Sequence, residues 1–336
     1  MTIPTLQRKE YAIPMQGAGM LMTDSAIGTG MAFLNGELEK RDPRLLEPLQ
    51  SVTWQRDIVA KTGGGWVEFT SNYFSDYGTT GGNDAGIIGG ETTDIPIMQA
   101  NITKDVFKVF DFANILKVPF VDQAKLQTIG RSLDNILDEG IRLNYNKSID
   151  NIVYTGYASL GVTGLVNSPL VTSSVAPNGL SGTATWATKT PDEILDDVNF
   201  IINATWEASE YDLTGMANHI LIPPQQYALL VGRKVSDAGS VSILQFLIDN
   251  NIARNQGIDL VIVPSRWCVG AGAGSTDRVV AYVNRENRVN FDLPVPLSRV
   301  MTQPNVQQMS YLTAYAAQLG QCKILYPTTM RYLDGI

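Results

Sequence analysis

Apolar residues recur every three or four positions over residues 126–154, which is the spacing of one face of a helix. The pattern predicts one continuous helix over that range. At 1.5 Å per residue the helix would be about 43 Å long, which indicates the spine of a domain rather than a local packing element.

Two regions of strand-like sequence flank a glycine-rich stretch. Residues 51–74 contain the β-prone run WVEF at 66–69, and residues 95–120 alternate between apolar and polar positions. Between them, NYFSDYGTTGGNDAGIIGGETTDIP (72–96) has six glycines in the thirteen positions 78–90. Because glycine loses the most backbone entropy on ordering, such a loop is left mobile, needs unusual backbone angles, or is ordered by something outside the chain. The simplest interpretation is a long two-stranded arm with a flexible tip.

The rest of the chain mixes helices and strands without regular strand-helix alternation, so the predicted fold class is α+β. Residues 190–193 carry the signals of a helix start, with a capping threonine, a proline in the first turn and acids at the positive end of the dipole. Residues 1–50 are interrupted by glycines and prolines and predict only one short helix, over 32–41. The other predicted elements are a strand, a Pro-Pro break and a short helix over 218–232, a helix over 240–251, a buried strand over 257–267, and strands over 278–283, 288–295, 308–318 and 321–331.

The composition favours a globular protein whose surface is polar but weakly charged. The 336 residues are 44% hydrophobic and only 17% charged, whereas charged residues make up about 25% of ordinary soluble domains. An uncharged polar surface avoids the cost of desolvating charges when that surface becomes an interface. The composition is therefore a first indication of assembly.

Net charge, cysteine content and hydropathy argue against several classes of protein. A net charge of −8 does not suit a protein whose main task is to bind phosphate backbones. Cys268 and Cys322 lie far apart without a C-x-x-C motif, which argues against a disulfide framework or zinc ribbon and suits a reducing compartment. The sequence has neither the apolar core of a signal peptide nor a membrane-length apolar segment, so we expect synthesis in the cytoplasm and no membrane association.

The candidates for a local basic patch are Arg8, Lys9, Lys40, Arg41 and Arg44.

Catalytic residue types are present, but they form no recognisable constellation. His219 is the only histidine, so a Ser-His-Asp or Cys-His site would have to use it, and no G-x-S-x-G elbow accompanies it. Asp192 and Glu193, followed by Asp196 and Asp197, are explained by the start of a capped helix, where acids interact favourably with the dipole. A hydrolase built around His219, or around Asp192 and Glu193, remains a minor alternative.

The binding motifs are incomplete as well. The loop Asp76–Asp84 lacks the oxygen spacing of a calcium loop, and GAGAGSTD at 270–277 lacks a G-K-[ST] ending and precedes a strand. The aromatic residues at 66–77 have no neighbouring Lys or Arg for nucleic-acid stacking, which favours an interface. We therefore expect no metal, no cofactor and no enzymatic activity, and a protein that works by association.

The order of elements resembles that of the HK97-like major capsid proteins of tailed bacteriophages. The resemblance is carried by the strand pair and spine over Ile95–Tyr154, by GLVNSP after the spine, by VIVPSR at 261–266 and by KILYPTTMRYLDGI at 323–336. It implies an N-terminal arm over 1–50, an extended loop over 51–96, a peripheral domain over 97–189 with its spine helix at 126–154, an axial domain over 190–285, and closing strands over 286–336 that return to the peripheral domain.

The resemblance also implies a function. Hexamers and pentamers of the chain would form an icosahedral shell in the virion, assembled in the host bacterial cytoplasm, that encloses double-stranded DNA without sequence-specific binding. Scaffolding and portal proteins, and in some cases decoration proteins, would be partners. An encapsulin-like nanocompartment that encloses an enzyme is the alternative within the same fold, and a tail or decoration protein is a further one.

Two sets of residues are expected at contacts between subunits. The extended loop would lie over a neighbouring subunit and order its glycines there, and no crosslink through its lysine is expected. The loop residues in this set are Lys61, Trp66, Phe74, Tyr77, Gly81, Gly82, Gly89 and Gly90. The residues expected near the centre of a capsomer are Trp267, Gly270, Gly272 and Gly274.

Overall fold

The computed structural model describes residues 51–80, 96–128, 132–236 and 239–336. Within these ranges the chain is α+β, as the sequence predicts. The short helix expected over 32–41 and the basic candidates between Arg8 and Arg44 lie outside the described residues. The helices are α1 (Trp54–Asp57), α2 (Phe120–Thr128), α3 (Leu133–Thr155), α4 (Pro191–Ala208), α5 (Pro224–Gly232), α6 (Ile243–Asn250) and α7 (Ile252–Asn255).

The strands form four sheets, with orders β1-β9-β12, β10-β11-β4, β5-β13-β8-β6-β7 and β2-β3. Their bounds are β1 (Val59–Thr62), β2 (Phe69–Thr80), β3 (Ile97–Lys108), β4 (Phe110–Pro119), β5 (Ser173–Val175), β6 (His219–Ile222), β7 (Val261–Pro264), β8 (Arg278–Tyr282), β9 (Val289–Leu293), β10 (Val295–Asn305), β11 (Ser310–Leu319), β12 (Cys322–Ile324) and β13 (Met330–Asp334).

The spine helix predicted over 126–154 is wrong at its beginning. Helix α2 ends at Thr128, and Ser132 has an extended backbone, with φ −98° and ψ 118°, directly before α3. The 23 residues of α3 span about 35 Å. The apolar spacing continues from α2 into α3, so the spacing does not reveal where one helix ends and the next begins. Gly130 and Ser132, in contrast, are residue types that disfavour a helix interior.

The two-stranded arm is confirmed. Strands β2 and β3 pair antiparallel without a register shift, from Phe69 opposite Lys108 to Thr80 opposite Ile97. Twelve residues per strand give a ribbon about 41 Å long. The glycines at 63–65 all have φ between +72° and +113°, a region that favours glycine.

The region before the arm differs from the extended chain that the sequence predicts over 51–74. Residues Trp54–Asp57 form the short helix α1, and Phe69 is the only residue of the WVEF run that lies in a strand. The helix forms because its N-terminal amides find a carboxylate elsewhere in the chain, a long-range contact that local strand propensity does not contain.

Helix α3 packs against the sheet of β4, β11 and β10. Leu116 and Val118 of β4, Ile141 of α3 and Tyr315 of β11 form a small buried cluster between them. Strand β11 pairs antiparallel with β4 along its whole length and with β10 on its other side. The strand predicted over 288–295 corresponds to β9, and β10 was not predicted, because its largely exposed positions lack an apolar alternation.

A second core lies between the five-stranded sheet and helices α4, α5 and α6. Strand β7 was expected to be buried, but it is an edge strand with an exposed first residue, Val261. The strand predicted over 321–331 is two strands, and they join different sheets. Strand β12 pairs with β9, whereas β13 pairs with β8 beside β6. The segment 286–336 therefore contributes strands to three of the four sheets.

Candidate assembly surface

Strand pairing sorts the side chains of the arm onto two faces. Residues directly opposite in an antiparallel pair point to the same side, and successive residues of a strand point to opposite sides. One side, which we call the apolar face of the arm, is 55–69% exposed at every large apolar position. These positions are Phe69, Tyr73, Tyr77, Met98, Ile102 and Val106.

The opposite side of the arm, its polar face, rests on the same chain near the root of the arm. Phe74 packs edge-on against Tyr326, with ring centroids 6.0 Å apart. The Lys323 amine lies 4.7 Å from the centroid of the Phe107 ring. These contacts fix which face points away from the subunit. The exposed polar residues of this face include Asp76, Gln99, Asn101, Thr103 and Asp105, and Ile97 is an exposed apolar residue among them.

The apolar face has the properties of a surface that is covered in an assembly. Contiguous apolar patches of more than a few hundred Å² are rare on monomeric proteins and mark interaction sites. Full burial of each large apolar side chain stabilises a contact by about 1.5–3 kcal/mol. Two lysines, Lys104 and Lys108, share this face, and the Lys104 amine lies 5.6 Å from the centroid of the Tyr73 ring. The face can therefore bury its aromatic rings and keep the two ammonium groups at the rim.

The predicted loop contacts fall at different places on the arm. Trp66 is exposed, Tyr77 belongs to the apolar face, and Phe74 is half-buried against its own chain. Lys61 lies in β1, where its amine is 4.0 Å from a Glu286 carboxylate oxygen and both side chains are exposed. The four glycines at 81, 82, 89 and 90 lie outside the described residues. The sequence interpretation missed Met98, Ile102 and Val106, although strict alternation along 97–106 would have placed them on one face.

Helix α1, just before the arm, is fastened to α3 by Asp150. This fully buried carboxylate accepts hydrogen bonds from the backbone amides of Thr53 (2.9 Å) and Trp54 (3.1 Å) through Oδ1. Its Oδ2 accepts from the indole N–H of Trp267 (2.9 Å) and from the Arg266 guanidinium (3.2 Å). The Asp150 carboxylate thus joins α1 at the root of the arm, α3 and the segment after β7.

Asp57, at the end of α1, makes the second connection. Its buried carboxylate accepts from the Arg56 guanidinium and from the Tyr154 hydroxyl of α3, and its Oδ1 lies 3.3 Å from Nε2 of His219 in β6. The backbone carbonyl of Asp57 accepts from the Tyr282 hydroxyl of β8. Burial alone would raise the pKa of Asp57, but the hydrogen bonds from Arg56, His219 and Tyr154 outweigh burial and hold the pKa below its ordinary value.

The residues of the hydrolase alternative have internal contacts. His219 is buried, and besides Asp57 its ring lies 5.2 Å from the Tyr282 ring. Glu193 closes a capping box with Thr190 and also accepts the Leu180 amide at 2.7 Å. Asp192 lies in the first turn of α4, as the dipole argument expects. These contacts give the three residues roles in holding the fold.

The dipole argument does not explain Asp197, which lies beyond the first turn of α4. Asp197 is buried and pairs with the Lys189 amine at 2.5 Å. It also accepts from the indole N–H of Trp186 at 2.9 Å. The sequence does not reveal this contact. The charged residues around Lys189 and Asp197 are spaced as they would be on an exposed surface.

The residues expected near a capsomer centre are not all alike. Trp267 is half-buried, stacks on Tyr154 with centroids 6.0 Å apart, and donates to Asp150. Gly270 and Gly274 lie in the loop before β8 with φ of +64° and +67°. A Cβ on Gly272 would lie 3.0 Å from the carboxyl carbon of Asp334, so this loop is held tightly at one point. Their contacts with another subunit stay a prediction.

The described residues show little that suggests metal or redox chemistry. They contain no cluster of three or more His, Cys, Asp or Glu side chains that could hold a metal ion. Both cysteines are free and buried, and burial raises the pKa of each thiol to about 12. No helix in the described part of the chain is long and apolar enough to cross a membrane. Of the calcium alternative, Asp76 lies in β2, and residues 81–84 are outside the described ranges.

Comparison with known proteins identifies this arrangement of sheets and arm. The family model for major capsid proteins matches residues 83–336. The capsid protein of Myoviridae phage XM1 is 17% identical, with 90% of this chain and 98% of that chain covered and a TM-score of 0.74. No curated protein matches the chain.

Two further solved structures show the same fold. The capsid of an empty GTA particle is 10% identical over 93% of this chain and 99% of that chain, with a TM-score of 0.61. A chain of Microbacterium phage Oxtober96 is 15% identical over 90% of this chain and 98% of that chain, with a TM-score of 0.57. At these identities the likeness establishes the fold.

Proposed function

The chain belongs to the major capsid protein family, and we propose that it assembles as hexamers and pentamers into an icosahedral shell that encloses double-stranded DNA. Its fold is the HK97-like capsid fold, and its role is structural, as a subunit of a phage capsid. The apolar face of the arm supports this mode of assembly. The arm projects from the subunit, and only the root of the arm is fastened to the rest of the subunit.

The contact that the arm makes is heterologous. The root is fixed to its own subunit through Asp57 and Asp150, so the exposed apolar face is available to the next subunit. A contact in which one surface of a subunit meets a different surface of the next generates a ring when the rotation closes. The distal half of the ribbon is exposed on both faces, so it can bend to fit the different angles of a five-membered and a six-membered ring.

The electrostatic balance suits a container. A net charge of −8 means that the shell as a whole repels a phosphate backbone and does not hold its genome tightly. DNA would thus be enclosed by the closed wall rather than by sequence-specific contacts. We propose scaffolding and portal proteins as partners, decoration proteins as optional partners, and assembly in the cytoplasm of a bacterial host.

The domain assignment accompanies this proposal. We propose an N-terminal arm over 1–50, an extended loop over 51–96, a peripheral domain over 97–189 and an axial domain over 190–285. For 286–336 we propose closing strands that return to the peripheral domain, which the pairing of β11 with β4 supports, while β13 pairs with β8. The family match favours a phage capsid over an enzyme-filled nanocompartment.

The experiment compares two pairs of substitutions on β3. Met98→Ser and Ile102→Ser together remove apolar side chains from the apolar face, and Gln99→Ser and Asn101→Ser together are the matched control on the polar face. Purified protein, alone and with a candidate scaffold, is examined by electron microscopy and light scattering. We expect rings and shells from the natural chain and from the control pair, and single subunits from the Met98 and Ile102 pair.

Two outcomes would contradict the proposal. A natural chain that stays monomeric with every scaffold tested would refute shell assembly itself. Shells of normal yield from the Met98 and Ile102 pair would leave shell assembly standing but refute the role of the apolar face. Nuclease-resistant double-stranded DNA inside shells from infected cells tests the cargo, and an enzyme in its place would return the nanocompartment alternative.

A further inference from the structure

The sheet of β1, β9 and β12 holds a lysine and an aspartate whose side chains are both buried. Lys323 of β12 is 2% exposed and Asp292 of β9 is 5% exposed. Lys323 lies directly opposite Asn290 in the pairing of β12 with β9, and Asp292 is the next residue of β9 on the same face. The Lys323 amine and the Asp292 carboxylate form an ion pair. Neither the apolar face of the arm nor the contacts of Asp57 and Asp150 involve this pair.

The two side chains meet in an orientation that differs from that of an ordinary hydrogen-bonded ion pair. The Lys323 amine is within ion-pair distance of Oδ2 of Asp292, yet among the described residues no donor makes a hydrogen bond to this oxygen. The amine therefore approaches the carboxyl group at an angle that a hydrogen bond does not allow. An amine that attacks a carboxyl carbon also approaches away from the lone pairs of the oxygen.

The surroundings hold the two groups close together. The Lys323 amine lies 4.7 Å from the centroid of the Phe107 ring of the arm. A Cβ at Gly320 would lie 2.8 Å from the Cβ of Asp292, so the glycine leaves the space in which the aspartate is held. Groups that are fixed in a reactive orientation behave as if present at effective molarities of about 10⁵ M or more. Such confinement favours a reaction between the amine and the carboxyl group.

We propose that Lys323 and Asp292 of one subunit join in an amide bond. The ammonium first gives a proton to the carboxylate, which removes two charges that are costly to bury. The nitrogen lone pair then forms a bond to Cγ of Asp292, and the bond from Cγ to the carboxyl hydroxyl breaks. This hydroxyl leaves with a proton from the nitrogen as one water molecule, so the reaction needs no further reactant. A cavity of about 420 Å³, which both residues line, gives the water a way out.

The amide bond fastens β9 to β12 and closes the segment that contains β10 and β11 into a covalent loop. A covalent loop stabilises a fold by restricting the unfolded chain. The bond also fixes the sheet on which the arm rests through the contact of Phe107 with Lys323. It forms inside a folded subunit and does not depend on shell assembly, so this inference goes beyond the proposed function and can fail or hold independently of it.

Mass spectrometry of the purified natural chain tests the bond. We expect the denatured chain to be lighter than its sequence by one water molecule. Trypsin should then fail to cut after Lys323 and should release the peptide 289–299 joined to the peptide 300–331. A cyclic imide at Asp292 also loses one water molecule, but it leaves the cut after Lys323 intact, so the digest distinguishes the two products. A folded chain of full mass that is cut after Lys323 would show an ion pair only, and the inference would be wrong.

Two substitutions assign the bond to its lysine. Lys323→Met should restore the full mass. Lys61→Met is the matched control, because Lys61 lies opposite Asp292 in β1 and has an exposed amine, and this variant should keep both the loss of water and the joined peptides. Loss of water that persists in Lys323→Met, or that disappears in Lys61→Met, would overturn the assignment. If Lys323→Met does not fold, the digest of the natural chain still decides whether the bond exists.

Discussion

Asp150→Asn tests whether the root of the arm depends on one buried carboxylate. The carboxylate accepts from the Thr53 and Trp54 amides and, at 3.5 Å, from the Thr53 hydroxyl on Oδ1, and from Trp267 and Arg266 on Oδ2. An asparagine of the same shape has only one oxygen, so in either orientation its NH₂ group faces two donors. The Arg266 side chain is about half exposed and can turn to water, and the loss therefore falls mainly on Trp267.

The expected loss in the free energy of unfolding follows from the indole N–H of Trp267, which is left without its acceptor. A hydrogen bond to a charged group stabilises a fold by about 1.5–3 kcal/mol, and a buried donor left without an acceptor costs a similar amount. We expect Asp150→Asn to lower the free energy of unfolding by about 2–3 kcal/mol, which leaves most of the 5–15 kcal/mol of a typical fold. The measurement is urea denaturation of free subunits, where the midpoint falls and the slope is unchanged.

A double-mutant cycle with Trp267→Phe shows whether the reasoning is correct. Phenylalanine removes the indole donor, so Asp150→Asn should cost at least about 0.5 kcal/mol less in that background than in the natural chain. Equal costs in both backgrounds would show that the Asp150 to Trp267 bond does not carry the effect. A loss below about 0.5 kcal/mol in the natural chain would place Asp150 among ordinary surface positions and refute its role at the root.

Three further outcomes follow from buried contacts. Lys189→Met leaves the Asp197 carboxylate buried without its partner and should cost about 3–5 kcal/mol in urea denaturation, much of which Lys189→Met with Asp197→Leu should restore. Gly164→Ala would place a Cβ 2.3 Å from the Tyr154 backbone, so we expect a lower melting temperature and a loss of about 1–3 kcal/mol. The lowered pKa of Asp57 means that its contribution to stability is complete above its ordinary value of 3.8 and disappears as the pH falls through the folded value. Asp57→Asn should therefore flatten stability measured between pH 5 and pH 2, about the range over which a depressed Asp titrates.

Local patterns predicted the elements that local physics determines. The capping box at Thr190, the Pro-Pro break before α5 and the two strands of the arm are all encoded within a few residues, and the structure confirms them. The gap between α2 and α3 was missed, because a helical period of apolar residues continues on both sides of Gly130. Strand β10 was missed for the opposite reason, since an exposed edge strand needs no apolar alternation.

Long-range contacts could not be read from the sequence. Trp267 stands beside a glycine-rich loop and was assigned to it, yet its indole donates to Asp150, which lies 117 positions earlier. Lys189 and Asp197 resemble charges on an exposed surface until the fold places them together beside Trp186. The role of Trp267 is determined by a residue far along the chain and that of Lys189 by a residue eight positions later, and neither period nor propensity reveals these contacts.

The arm combines a rigid root with a ribbon that is not stable by itself. Near the root, Gln318 of β11 accepts the Val67 amide at 3.0 Å and donates to its carbonyl at 3.1 Å, and Phe74 packs on Tyr326. Farther out, residues 75–79 and 97–106 are exposed on both faces, and a two-stranded hairpin in water is at best marginally stable. If the arm lies over a neighbouring subunit, as we propose, the distal ribbon gains much of its stability from that subunit, and ordering of the arm and assembly are one coupled equilibrium. A subunit of this kind directs its arm from the root while the neighbour decides the final curvature, which is what one sequence needs in order to occupy rings of two sizes.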